Sequence, residues 1–162
     1  MVKTDPVFLS AMDAAVRILA PRQHTEAELR RKLGKRGFDP ETVDAVLAEC
    51  RDRNYVDDAA TARLYLAELI RKDYGVNRVR QAMRQKGLAD ALIEEISEEY
   101  AGSEDERAAA RKALAKKRPA LERETDPRKR REKAYRFLAG KGFTGEVIRT
   151  AMSDGDGDAD LF

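Results

Sequence analysis

A chain of 162 residues with 42% apolar and 38% charged side chains and no Trp suits one domain or a short array of small units. It is too apolar for a disordered chain of that charge, and no apolar run approaches the ~18 residues of a membrane span. Asp5, Asp13 and Arg17 in the N-terminal apolar stretch do not suit a secretory signal, and Cys50, the one cysteine, cannot form an internal disulfide, which fits a reducing cytoplasm.

The net charge of +2 hides an uneven distribution. Residues 71–86 hold six basic side chains against one acidic, and 87–110 one against eight. Residues 111–141 hold thirteen against four, and 142–162 one against five. Blocks of alternating sign suit faces that meet charged partners.

Helix signals dominate in chain order. The first helix is placed near Val7 to Ala20. Thr25 and Glu28 form a capping box for "TEAELRRKL", where Leu29 and Leu33 share a face and Gly37 supplies a positive-φ stop. Gly34 inside this helix costs about 1 kcal/mol relative to Ala, and close packing would be its physical reason. Asp39 and Pro40 open the next helix, with Val43, Val46 and Leu47 inward. Asp57 and Asp58 cap a longer segment carrying Ala62, Leu66, Leu69 and Ile70. After "YGV" comes a helix with Val76, Val79 and Met83 inward, ending at Gly87, and then one marked by Leu92, Ile93 and Ile96. "SEDE" reads as a second capping box, and "DPRKRREKAYRFLAGKG" repeats the Asp-Pro start and Gly stop. Nine helices result.

The stretches "LRRKLGKRGF", "VRQAMRQKGL" and "AYRFLAGKGF" share one pattern, and Gly37, Gly87 and Gly142 recur at nearly even spacing. Six residues after each comes the next helix's anchor, Val43, Ile93 or Ile148. The chain is therefore expected to be all-α: three tandem three-helix repeats, 1–56, 57–101 and 102–153, in an elongated, curved array with a flexible acidic tail at 154–162. About ten extra residues in "KKRPALERETDP" lengthen a loop of the third repeat. Stacking lets each small repeat bury an apolar face that it cannot bury alone.

With Val79 facing inward, Arg78, Arg80, Gln81, Arg84 and Gln85 point outward at 100° per residue, and Lys86 ends the same helix. Arg80 and Arg84 stand one turn apart. Their counterparts are Arg30, Arg31 and Lys35 in the first repeat and Lys133 and Arg136 in the third. Arg128, Lys129, Arg130 and Arg131 make a denser cluster at a helix start, where basic residues oppose the helix dipole. Such ridges suit phosphates or carboxylate-rich protein surfaces. Sequence-specific base reading is not expected, because long Arg and Lys chains replace the short polar ones that reach base edges.

Catalysis finds no foothold. His24, the one histidine, reads as a solvent-facing or capping residue, and Cys50 as a packed one. There is no zinc ligand set and no phosphate-binding loop, so neither metal nor cofactor is expected. "DGDGDAD" lacks the Gly and Glu of a calcium loop and reads as an acidic tail that screens the basic helices.

The stretches "AVRILAPRQHTEAELRRKLGKRGF", "NYVDDAATARLYL", "YGVNRVRQAMRQKGL" and "AYRFLAGKGFTGEVI", spanning about Ala14 to Ala151, together resemble the RecX regulatory family, bacterial modulators of the RecA recombinase. The resemblance implies a non-enzymatic protein built from tandem three-helix repeats; a monomer in the cytoplasm, away from membranes, is expected. Such a protein binds RecA and its filament on single-stranded DNA and restrains ATP hydrolysis, strand exchange and co-protease function. The alternative from the same basic residues is direct, non-sequence-specific DNA binding without RecA, carried mainly by Arg128 to Lys133. A structural adaptor is the third reading.

Overall fold

The computed structural model describes residues 4–154 as nine α-helices, with no strand among them. They are α1 (Pro6–Leu19), α2 (Glu26–Lys35), α3 (Pro40–Asp52), α4 (Asp58–Arg71), α5 (Val76–Gln85), α6 (Asp90–Tyr100), α7 (Glu104–Leu121), α8 (Pro127–Gly140) and α9 (Gly145–Asp154). The expected acidic tail lies outside the described residues except for Asp154.

Local chemistry sets most of these boundaries. Asp5, Asp39 and Asp126 cap α1, α3 and α8, each followed by a Pro whose missing N–H costs nothing in a first turn. Thr25 and Glu28 form the full capping box. Gly37, Gly87 and Gly142 end α2, α5 and α8 at φ +89°, +76° and +93°. That left-handed region clashes with a Cβ, which is why the stop is glycine in every repeat.

Four expectations change. Ser103 accepts from the Glu106 N–H, but the Glu106 carboxylate does not return to Ser103; it accepts from Gly102 N–H at 2.7 Å and Val76 N–H at 2.8 Å. Asp57 caps α4 through Ala60 N–H, while Asp58 accepts from Glu26 N–H at 2.9 Å. The extra residues of the third repeat mostly extend α7, which runs 18 residues through Pro119, rather than a loop. A Cβ on Gly34 would meet nothing within 4 Å, so close packing does not explain that glycine.

The chain divides into two compact units. One takes the chain up to Leu64 together with Met83–Leu92, and the other takes Tyr65–Ala82 together with the chain from Ile93 onward. The first unit packs Phe8, Ala11, Ala15, Leu29, Leu33, Val43, Val46, Leu47 and Val56 into one apolar cluster. Cys50 belongs to that core, as its small apolar side chain predicts. The second unit's cluster joins α7, α8 and α9 through Ala110, Leu114, Leu121, Leu138, Val147 and Ile148.

Each unit contains one joint built to the same plan. In the first, the turn after α5 sits on the start of α2. Thr25 Oγ1 donates to the Lys86 carbonyl at 2.7 Å, and Lys86 Nζ reaches Glu28 Oε1 at 3.1 Å. A Cβ on Gly87 would overlap Ala27 Cβ. In the second, the turn after α8 sits on the start of α5. Gly75 N–H donates to the Lys141 carbonyl and Asn77 N–H to the Gly142 carbonyl, both at 2.9 Å. Cβ atoms on Gly75 and Gly142 would overlap the backbone nitrogens of Phe143 and Arg78. The "YG" before α5 is thus a close-approach glycine. In both joints a carboxylate from the following repeat, Asp58 or Glu106, accepts from the first N–H of the middle helix, at Glu26 or Val76. Those N–H groups have no partner within their own helix, and the joints satisfy them.

Candidate functional site

The basic residues picked out by the repeat do not all present free charge. In the first unit Lys86 is committed to Glu28, whose buried carboxylate also accepts from Thr25 N–H at 3.0 Å and pairs with Arg22 at 3.3 Å. Burial works to raise the Glu28 carboxyl, but the bonds from Thr25, Arg22 and Lys86 prevail and lower it to about 2. Arg30 pairs with Asp44 at 2.5 Å, and Arg84 stands 3.9 Å from Asp90. Arg31 and Lys35 are exposed and make no ion pair among the described residues.

In the second unit Arg78 is exposed, its guanidinium 5.4 Å from the Tyr74 ring centre, with Lys141 over the same ring at 5.0 Å. Arg80 differs from the expected outward ridge. Only 26% of its side chain is exposed, it faces Glu94 at 3.5 Å, and its Nε is buried. With most of its side chain covered and one guanidinium nitrogen facing Glu94 of α6, Arg80 presents less charge outward than the ridge predicts.

The cluster at the start of α8 is likewise partly neutralised. Lys133 pairs with Glu124 at 2.5 Å, Arg128 with Glu132 at 3.4 Å, and Arg130 donates through Nε and Nη2 to the Glu124 carbonyl. Arg136 donates to the Glu132 carbonyl at 3.4 Å. Asp126 accepts from Arg128 and Lys129 N–H, so a carboxylate at the cap offsets the basic residues that oppose the dipole. Lys129 and Arg131 are the exposed members with no ion pair among the described residues.

His24 is buried rather than solvent-facing. Its Nδ1 lies 3.0 Å from the Arg22 carbonyl and its Nε2 2.7 Å from Lys32 Nζ. Nδ1–H therefore donates to the carbonyl and Nε2 accepts from the ammonium, the neutral form that burial also favours by lowering the ring's pKa. Burial pushes the Cys50 thiol up, away from a reactive thiolate. No group of three or more His, Cys, Asp or Glu among the described residues could hold a metal ion, and no described helix is long and apolar enough to cross a membrane.

The basic-helix pattern alone does not single out Tyr135 and Arg149. Together with Arg131, Glu132, Met152 and Ser153 they line a cleft of about 400 Å³ between α8 and α9. The signal for them is the repeat register: they take the places that Arg80 and Glu94 hold in the second repeat and Arg30 and Asp44 in the first.

Against known proteins, residues 11–50, 57–96 and 104–152 match, in order, the family models described as the first, second and third three-helix domains of RecX. Among curated proteins, the chain is 44% identical over 140 residues to a "Regulatory protein RecX" of Deinococcus radiodurans, covering 86% of this chain and 65% of that protein. It therefore spans just under two thirds of that relative's length. Proteins of the same name from Chlorobaculum tepidum and Halorhodospira halophila are 39% and 34% identical; 88% and 90% of this chain and 86% and 88% of those proteins are covered. A crystal structure of regulatory protein RecX superposes with a TM-score of 0.84 at 24% identity, covering 93% of this chain and 75% of that one. RecX from Lactobacillus salivarius gives 0.85 at 18%, covering 93% and 97%. At those identities the structures speak for the fold alone.

Proposed function

The chain belongs to the RecX family, and from that premise we propose that it is a non-enzymatic regulator of RecA. In this reading it binds RecA and the RecA filament on single-stranded DNA, and lowers the filament's ATP hydrolysis, strand exchange and co-protease activity. The observation that carries it is the ordered match of all three three-helix domains over residues 11–152. The exposed cations supply contacts for an anionic assembly: Arg31 and Lys35 in the first unit, and Arg78, Lys129 and Arg131 in the second. Arg30, Arg80, Arg84, Lys86, Arg128 and Lys133 have carboxylates of their own and contribute less.

The test is ATP hydrolysis by RecA assembled on single-stranded DNA, titrated with this protein, with binding to bare DNA measured alongside. Inhibition well below the concentration that coats bare DNA supports the reading. If hydrolysis stays unchanged at an excess over RecA, the reading fails. If inhibition appears only where bare DNA is saturated, the protein competes for DNA directly, as the exposed pair Lys129 and Arg131 would permit.

A further inference from the structure

The three repeats handle one pair of positions in different ways. On the outer faces of the second and third helices of the first repeat, Arg30 meets Asp44 at 2.5 Å. The same register in the second repeat brings Arg80 to Glu94 at 3.5 Å. Each is a cation neutralised by a carboxylate of its own repeat. In the third repeat the arginine position holds Tyr135 and the carboxylate position holds Arg149. The acid is gone and a cation stands in its place, facing a phenol. Arg149 is exposed and makes no ion pair among the described residues.

The surroundings make a site of this exchange. A Cβ on Gly145 would lie 3.1 Å from Tyr135 Oη and 3.3 Å from Arg149 Nη1, so both tips gather over the glycine that opens α9. Arg131 lines the same cleft, with Met152 beneath it largely buried. The carboxylate on the rim, Glu132, is already engaged by Arg128 at 3.4 Å. Tyr135 is 41% exposed and also borders a second depression of about 390 Å³ with Glu132 and Arg136. An exposed aromatic ring thus stands between arginines in two adjoining hollows.

We infer that this cleft binds single-stranded nucleic acid, with a base laid on the Tyr135 ring and the adjoining phosphates held by Arg131 and Arg149. A single small anion would need the two guanidinium groups but leave the ring idle. An acidic peptide would use the charges and gain little from the exposed ring or the apolar floor. A strand uses all of them: its phosphates meet successive arginines, and any base can stack on the phenol. Duplex DNA keeps its bases stacked inside and offers the ring nothing. This extends the nucleic-acid side of the proposed function. The experiment omits RecA, so its failure leaves RecA regulation standing and failure of the RecA titration leaves the cleft standing.

The test is fluorescence anisotropy of a labelled oligothymidylate against the full chain, with a duplex of equal length and an oligoglutamate peptide as competitors. Two variants accompany the wild type. Tyr135→Arg with Arg149→Glu transplants the self-neutralised pair of the other repeats, so the third repeat keeps a pattern this fold already accommodates. Tyr135→Leu keeps the bulk and removes the aromatic face. The expected result is at least a tenfold loss for the double variant at unchanged melting temperature. Tyr135→Leu should lose about fivefold or more with the same salt dependence, because stacking releases no counterions. The inference is overturned if wild type does not bind the oligothymidylate, or if either variant binds it as wild type does. It is equally overturned if the duplex or the oligoglutamate displaces the labelled strand at as low a concentration as unlabelled oligothymidylate does, since the cleft then reads charge alone.

Discussion

Replacing Glu28 by Gln tests the joint between the first two repeats. The carboxyl falls from an ordinary 4.5 to about 2, although burial opposes this, because Thr25 N–H, Arg22 and Lys86 hold it ionised. That gap converts to ~3 kcal/mol at 1.36 kcal/mol per pH unit. Arg22 and Lys86 are about half and one third exposed, so solvent screening trims the figure to about 2 kcal/mol. A group whose pKa is depressed by folding contributes stability above its unfolded value and loses it as the pH falls through the folded one. Wild type should therefore exceed Glu28→Gln by about 2 kcal/mol at pH 7. The difference should shrink between pH 4.5 and about 2. Urea denaturation followed by helix ellipticity at pH 7, 4 and 3 measures it, and Gln keeps the acceptor for Thr25 N–H. A difference of the same size at every pH would refute the reasoning, because it would assign Glu28 a packing role with no ionic component.

Gly142→Ala drives a Cβ into the Arg78 backbone nitrogen at a positive φ, and should cost roughly 2 kcal/mol or more in the same assay. Gly37→Ala has the positive φ but nothing within 4 Å, and should cost only ~1 kcal/mol of backbone strain. Gly34→Ala, in a helix with open space around it, should stabilise by up to ~1 kcal/mol. Arg80→Glu would set a second carboxylate against Glu94 in a half-buried site and should lower the melting temperature by several degrees. Arg78→Glu, on an exposed neighbour, should leave melting within a degree or two while raising the protein concentration needed for half-inhibition of the RecA ATPase.

Features that depend on neighbours a few residues away were legible in the chain. The Thr25 and Glu28 box, the Asp-Pro starts and the positive-φ glycines involve groups within one turn, where steric and hydrogen-bonding rules need no tertiary partner. The buried faces of α2 and α5 followed from the 3.6-residue period, and Leu29, Leu33, Val79 and Met83 are all buried. Charges were harder. Whether an arginine is outward and free depends on what lies opposite, and Glu94 reaches Arg80 from another helix. Lys86 ended a basic helix in sequence, yet it is drawn onto Glu28, far earlier in the chain. Glu106 fitted a capping box, and the unpaired N–H of Val76 drew it elsewhere.

By itself the sequence determined the helices, their stops and the threefold repeat of the glycine-ended basic helix, because propensity, capping and glycine geometry act over short stretches of chain. The tertiary structure decided which charges are spent inside the fold and which stay exposed. An ion pair is set by distance in space: helix packing within a repeat brings Arg80 to Glu94, and the packing of one repeat's turn on another's helix start brings Lys86 to Glu28.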